Sequence, residues 1–134
     1  MVRTSLIILV VSVLSLAGSA QASQPSSAKA TFSKKYQDCM DHAGYVDAQM
    51  SICEDDEFAR QDAGLNLAYR SLIATLSPVR KIALQKAERA WITFRDAQCE
   101  FEASNDANAT LGPLVYSSCR KLLTYERKQD LVTR

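Results

Sequence analysis

Histidine is nearly absent from this 134-residue chain, and that scarcity settles several questions at once. A lone His42 excludes most zinc sites and most histidine-based catalytic triads. Four glycines and three prolines are too few for a turn-rich all-β protein and point to helix. There is no excess of one charge sign: 16 basic groups stand against 15 acidic ones. The chain therefore lacks the broad basic field that grips nucleic acid, and no nucleic-acid partner is expected. Sustained alternation of apolar and polar residues is missing, as is any internal repeat. What is present, 47% hydrophobic and 23% charged residues, is the composition of one folded domain.

A membrane-spanning run is also lacking. The longest apolar stretch, Leu6 to Leu16, falls well short of the roughly 20 residues that cross a hydrocarbon core. Arg3 ahead of it and Ala20-Gln21-Ala22 behind it are the marks of a signal peptide, so residues 1–22 are expected to be cleaved. Residues 23–30 (SQPSSAKA) read as a flexible leader, and residues 31–134 as the helical domain. No cysteine precedes Cys39 to accept a lipid anchor. The expected mature protein is soluble, periplasmic or secreted, and free of the membrane after cleavage.

The domain reads as four helices. A short one is expected from about Phe32 to Ala43, with Phe32, Tyr36, Cys39 and Ala43 inward and Gly44 ending it. A second, capped by Asp47, runs to about Leu76 and turns Phe58, Leu65, Tyr69, Leu72 and Leu76 inward. Ser77-Pro78 stops it and opens a third helix reaching about Ala103, with Leu84, Ala87, Trp91 and Phe94 along one side. A fourth begins near Gly112 and reaches about Val132, with Cys119, Leu122, Leu123 and Leu131 inward. Short connections favour antiparallel neighbours. The expected fold is all-α: an antiparallel up-down bundle of three long helices plus a short N-terminal helix, stapled by two disulfides.

Cys39, Cys53, Cys99 and Cys119 form an even set in an exported chain, where oxidising conditions prevail. No C-x-x-C occurs, which argues against a zinc knuckle or a thioredoxin-like motif. Three connectivities are open. Helix placement favours Cys39–Cys53 and Cys99–Cys119, with Cys53–Cys99 as the main rival.

Two polar features stand out. Asp62 occupies an apolar position of the second helix, where burial without a partner costs several kcal/mol. Arg95 and Arg127 are the expected partners, with Asn66 completing a buried polar network that fixes helix register. The run Glu54-Asp55-Asp56-Glu57 reads as a solvated helix start or as an acidic surface for a basic partner. It belongs to a lopsided distribution: residues 23–69 carry net −4 and residues 70–134 net +4. Asp62 and Glu88 as a glycosidase pair would need a cleft, which a slim bundle rarely encloses. The enzyme reading is the weakest, and no catalytic residue, metal or cofactor is expected.

Several of these residues fall into one ordered pattern. Met50-x-x-Cys53, Asp62-x-x-Leu65-Asn66-x-x-Tyr69, Trp91-x-x-x-Arg95-Asp96-x-x-Cys99, then Cys119 and Thr124-x-x-Arg127 together resemble the LprI-like lysozyme-inhibitor family. The resemblance runs from about Cys39 to Leu131. It implies a helical, disulfide-stapled extracytoplasmic domain that binds and inhibits lysozyme, and it brings no catalytic residues. This chain departs from the pattern in having Glu88 where the family has glutamine. The leading expectation is an exported module that blocks lysozyme and protects a cell wall. The alternative is a cell-envelope interaction or stress protein with another partner.

Overall fold

A computed structural model describes residues 31–104 and 110–134. The expected signal segment and leader, and residues 105–109 of the third connection, lie outside the described residues. The others form four helices: α1 (Lys34–Ala43), α2 (Asp47–Thr75), α3 (Pro78–Ser104) and α4 (Gly112–Val132). No strand occurs among the described residues.

The helix ends follow from local chemistry, with two shifts from the sequence expectation. α1 begins at Lys34 because Ser33 takes the capping role, its Oγ accepting from the Tyr36 amide at 3.1 Å. Phe32 thus lies ahead of the helix, edge-on to the rings of Tyr36 and Tyr125. Gly44, at φ +59°, ends α1 in a conformation that disfavours a Cβ. Asp47 does not cap α2; Val46 precedes the helix without a side-chain bond, and Asp47 is its first residue. The carboxylate there still meets the positive end of the helix dipole. Pro78 opens α3 as expected, with the Lys81 amide bonded to the Ser77 carbonyl.

α4 is the helix on which the fold is assembled. α2 packs along it most extensively and α3 less so, while α1 rests on α2. α2 and α3, although consecutive, barely approach each other directly. Gly64 serves the close approach of α2 and α4, since a Cβ there would lie 2.9 Å from the Lys128 side chain. The two disulfides are Cys39–Cys53, joining α1 to α2, and Cys99–Cys119, joining α3 to α4. Their Cα separations of 5.7 and 5.5 Å are ordinary for such bridges.

Among the described residues the buried apolar set is small: Ala43, Cys53, Leu65, Cys99 and Leu131. Beside it are buried Glu54, Glu57, Gln61, Arg95, Ser117, Lys121 and Thr124. A domain this size buries little apolar surface, and its two covalent links make up part of the deficit. Several expected inward residues face out. Phe94 and Ala87 on α3 are exposed, as is Leu122 on α4. The inner side of α3 is formed by Leu84, Glu88, Trp91, Arg95 and Cys99, which lies a rotation away from the expected face.

Candidate functional site: a polar cleft and an acidic end

Because α2 and α3 diverge, a cleft of about 300 Å³ opens between them. Asp62, Asn66 and Tyr69 line it from α2, and Gln85, Glu88 and Trp91 from α3. Asp62 is half-buried and faces this space rather than a sealed seam. Its carboxylate accepts from Asn66 Nδ2 at 3.0 Å, so that member of the expected network is in place.

The arginines are not where the sequence expectation puts them. Arg95 bonds Asp96 through Nε at 2.8 Å and Thr124 through Nη1 at 3.4 Å. Its guanidinium also lies over the rings of Phe58 and Trp91. Arg127 pairs with Glu88 across the α3–α4 contact. The Asp62–Arg95 and Asp62–Arg127 pairings are therefore corrected. The separation of α2 from α3 leaves Asp62 in contact with water, so no buried counter-ion is demanded. Asp62 and Glu88 do share a cleft, but the Glu88 carboxylate is already held by Arg127.

The acidic run also divides. Asp55 and Asp56 are exposed, whereas Glu54 is 4% and Glu57 0% exposed. The surface role is corrected for Glu54 and Glu57. Consecutive helical residues are turned by about 100°, so four in a row cannot share one face, while i and i+3 do.

Those two glutamates organise a buried polar cluster that the sequence reading missed. Glu54 pairs with Lys121 at 2.7 Å, and both side chains are almost fully buried. The Tyr36 hydroxyl donates to Glu54 at 2.8 Å and accepts from Lys121 at 2.7 Å. The Lys121 ammonium lies over the Phe32 and Tyr36 rings at 4.1 and 4.0 Å. Burial, then the bond to Glu54 and its charge, push the Tyr36 phenol up. Glu57 accepts from the Ser33 amide, the Ser33 hydroxyl, Arg60 and Gln61 at 2.6–3.0 Å. Burial alone would raise its carboxyl, but these bonds outweigh it and lower it to about 2. The one available signal was the spacing of Glu54 and Glu57, which places both on the side carrying Gln61 and Leu65.

Four acids also stand at the surface of this end, beside the exposed Lys34, which pairs with Asp38, and the exposed Lys35. Asp41 on α1, Asp55 and Asp56 on α2, and Glu100 on α3 are exposed, and none is held in an ion pair among the described residues. Glu102 lines the same hollow as Met50 and Glu54, which places the end of α3 beside the start of α2. Arg70 and Arg80 are exposed at the opposite end together with Glu126 and Asp130 of α4, and Lys86 and Arg89 are exposed nearer the middle of α3. His42 is exposed, and no cluster of metal-ligating residues occurs among the described residues.

A family model described as "Lysozyme inhibitor LprI" matches residues 39–131, which include both disulfides, the cleft and the buried cluster on α2 and α4. The chain belongs to the LprI family. An uncharacterized protein of Rhizobium meliloti is 32% identical over 107 residues, covering 70% of this chain and 76% of that one. No solved structure matches the chain. The LprI family is one of inhibitors rather than catalysts. Among the described residues of this LprI domain, no helix is long and apolar enough to cross a membrane.

Proposed function

We propose that this LprI domain is an exported binding module that inhibits lysozyme, docking through the acidic end built by α1, the start of α2 and the end of α3. The observation that carries this reading is the concentration of exposed acid at one end, on Asp41, Asp55, Asp56 and Glu100, against the exposed bases Arg70 and Arg80 at the other, which Glu126 and Asp130 of α4 offset only in part. Lysozymes of animal type are strongly basic. A concentrated acidic patch on a chain of small net charge steers and orients such a partner, where a uniform charge would not. The family's name supports the partner class, and two disulfides suit an extracytoplasmic, oxidising compartment.

The deciding measurement is lysis of bacterial walls by lysozyme with and without the mature oxidised protein. Inhibition is expected at stoichiometric dose. The double change Asp55→Lys with Asp56→Lys is expected to slow association by roughly tenfold or more at low salt, with the fold intact. Undiminished lysis at a large excess of the protein would refute the reading and favour a different envelope partner.

A further inference from the structure

α3 carries large apolar residues on two sides. Its inner side is joined to α4 by the Cys99–Cys119 bridge, the Arg95–Thr124 bond and the Glu88–Arg127 pair. Its outer side carries Val79, Ile82, Phe94 and Phe101, which are 78%, 67%, 55% and 60% exposed. Ala83, Ala90 and Ala97, seven residues apart, are exposed between them. At about 100° per residue, Val79, Ala83, Ala90, Phe94, Ala97 and Phe101 fall in a stripe roughly 60° wide. It runs almost the full length of a helix about 40 Å long. Contiguous exposed apolar surface of this kind marks an association site.

We propose that this stripe is a homodimer interface in which the α3 helices of two copies pair antiparallel across a two-fold axis at Ala90. The register of the stripe is itself symmetric about that residue. Val79 and Phe101, Ala83 and Ala97, and Lys86 and Phe94 are each equidistant from Ala90 in sequence. A two-fold axis there sets Val79 opposite Phe101 and Ala83 opposite Ala97 of the second copy, with Phe94 opposite Lys86 at the edge of the stripe, and the contact closes on itself. Large side chains meet at the two ends, and alanine meets alanine near the centre, where small residues let the helix axes approach closely. Lys86 falls opposite Phe94, so its stem covers the ring and its ammonium meets the ring face.

The charges choose the direction. The exposed ions in the first half of α3 are basic, Arg80, Lys86 and Arg89, and those toward its end are acidic, Glu100 and Glu102. Antiparallel pairing lays each basic half along the acidic half of the other copy. Parallel pairing would set like charges side by side. A heptad-spaced seam flanked by complementary charge is the pattern by which helices select a partner and an orientation. Here both point to a second copy of this chain.

Sedimentation velocity of the mature oxidised protein, from micromolar to near-millimolar concentration, is expected to show a dimer. Ala90→Glu brings two carboxylates face to face at the axis and is expected to halve the mass with the helical circular dichroism unchanged. Ala74→Glu, a change at an exposed position on α2, is expected to leave the dimer intact. Under mild oxidation Ala90→Cys is expected to give a covalent dimer linked through position 90, and Val79→Cys is expected to give none. A protein monomeric at every concentration would overturn the proposal and leave the stripe to a different protein. A dimer that survives Ala90→Glu, or one that cross-links through Val79→Cys, would overturn it as well.

Discussion

The end of the bundle where α1 meets α2 and α4, and the cleft between α2 and α3, use similar residue types in opposite ways. At the first, Glu54, Glu57, Lys121 and Gln61 are packed out of water against the half-buried Tyr36, and each charge is matched by a named donor or acceptor. At the second, Asp62, Asn66, Tyr69 and Gln85 line an open space, and Asp62 satisfies itself locally through Asn66. One glutamate of the cleft, Glu88, belongs to the first pattern because Arg127 reaches it from α4. The difference comes from α4. Where it closes over α2, polar groups must pair with one another, and where α2 and α3 diverge, water does the pairing.

The comparison is most exposed to failure at Lys121. Lys121→Met removes the ammonium from a pair in which both side chains are almost fully buried, leaving the Glu54 carboxylate with only the Tyr36 hydroxyl. Breaking a buried pair from one side costs about 3–5 kcal/mol, much of it the desolvation of the stranded charge. Urea denaturation is expected to show a loss of that size. Adding Glu54→Leu should recover part of it, because the stranded charge is then gone. A loss below about 1 kcal/mol would mean that water reaches this end as freely as it reaches the cleft.

A smaller effect should appear on acidification, through Glu57. Its carboxyl is lowered in the folded state to about 2 from an ordinary 4.5. The group therefore stabilises the fold fully above about pH 4.5, and that contribution drains away as pH falls through the range down to about 2. A shift of this size corresponds to roughly 3 kcal/mol or slightly more. Stability measured between pH 6 and pH 2 is expected to fall along that window, and Glu57→Gln is expected to flatten the fall. A profile that Glu57→Gln leaves unchanged would place the acid sensitivity elsewhere.

The same contrast explains what could be read from the amino-acid sequence. α2, α3 and α4 were legible almost to the residue because Pro78, Gly112-Pro113 and the apolar spacing act locally. The disulfide pairing was legible once the helix ends were placed, since each bridge joins neighbouring elements. Apart from Asn66 beside Asp62, the mates of the polar residues were not. Asp62 sits at an apolar spacing and invited a buried arginine, but helical spacing says nothing about how far a neighbouring helix stands off. Glu54 resembled solvated charge because its partner Lys121 is 67 residues away on a helix that folds back over it, and Glu57 because Ser33, which donates twice to it, precedes it by 24 residues on a separate element. The outer stripe of α3 was hidden for a related reason. Phe94 and Trp91 are three residues apart and pass for one face, until Arg95 and Cys99 are seen to define the inner side.

Asp62→Asn is the mildest test and the one that bears most directly on the cleft. The carboxylate is half-buried, faces open space and receives the Asn66 amide at 3.0 Å. Asparagine keeps an oxygen there to accept that bond, so the loss should stay below about 1 kcal/mol, the scale of one partly exposed hydrogen bond. Arg95→Met should cost more, because a buried guanidinium loses its bond to Thr124 and its stacking on Phe58 and Trp91. With no bond joining Asp62 to Arg95, the two changes should add within about 0.5 kcal/mol in a double-mutant cycle. A coupling well above that would mean the cleft closes in solution and brings the two side chains together. In that case α2 and α3 would pack against each other as α2 and α4 do, and the cleft would cease to be a separate region of the molecule.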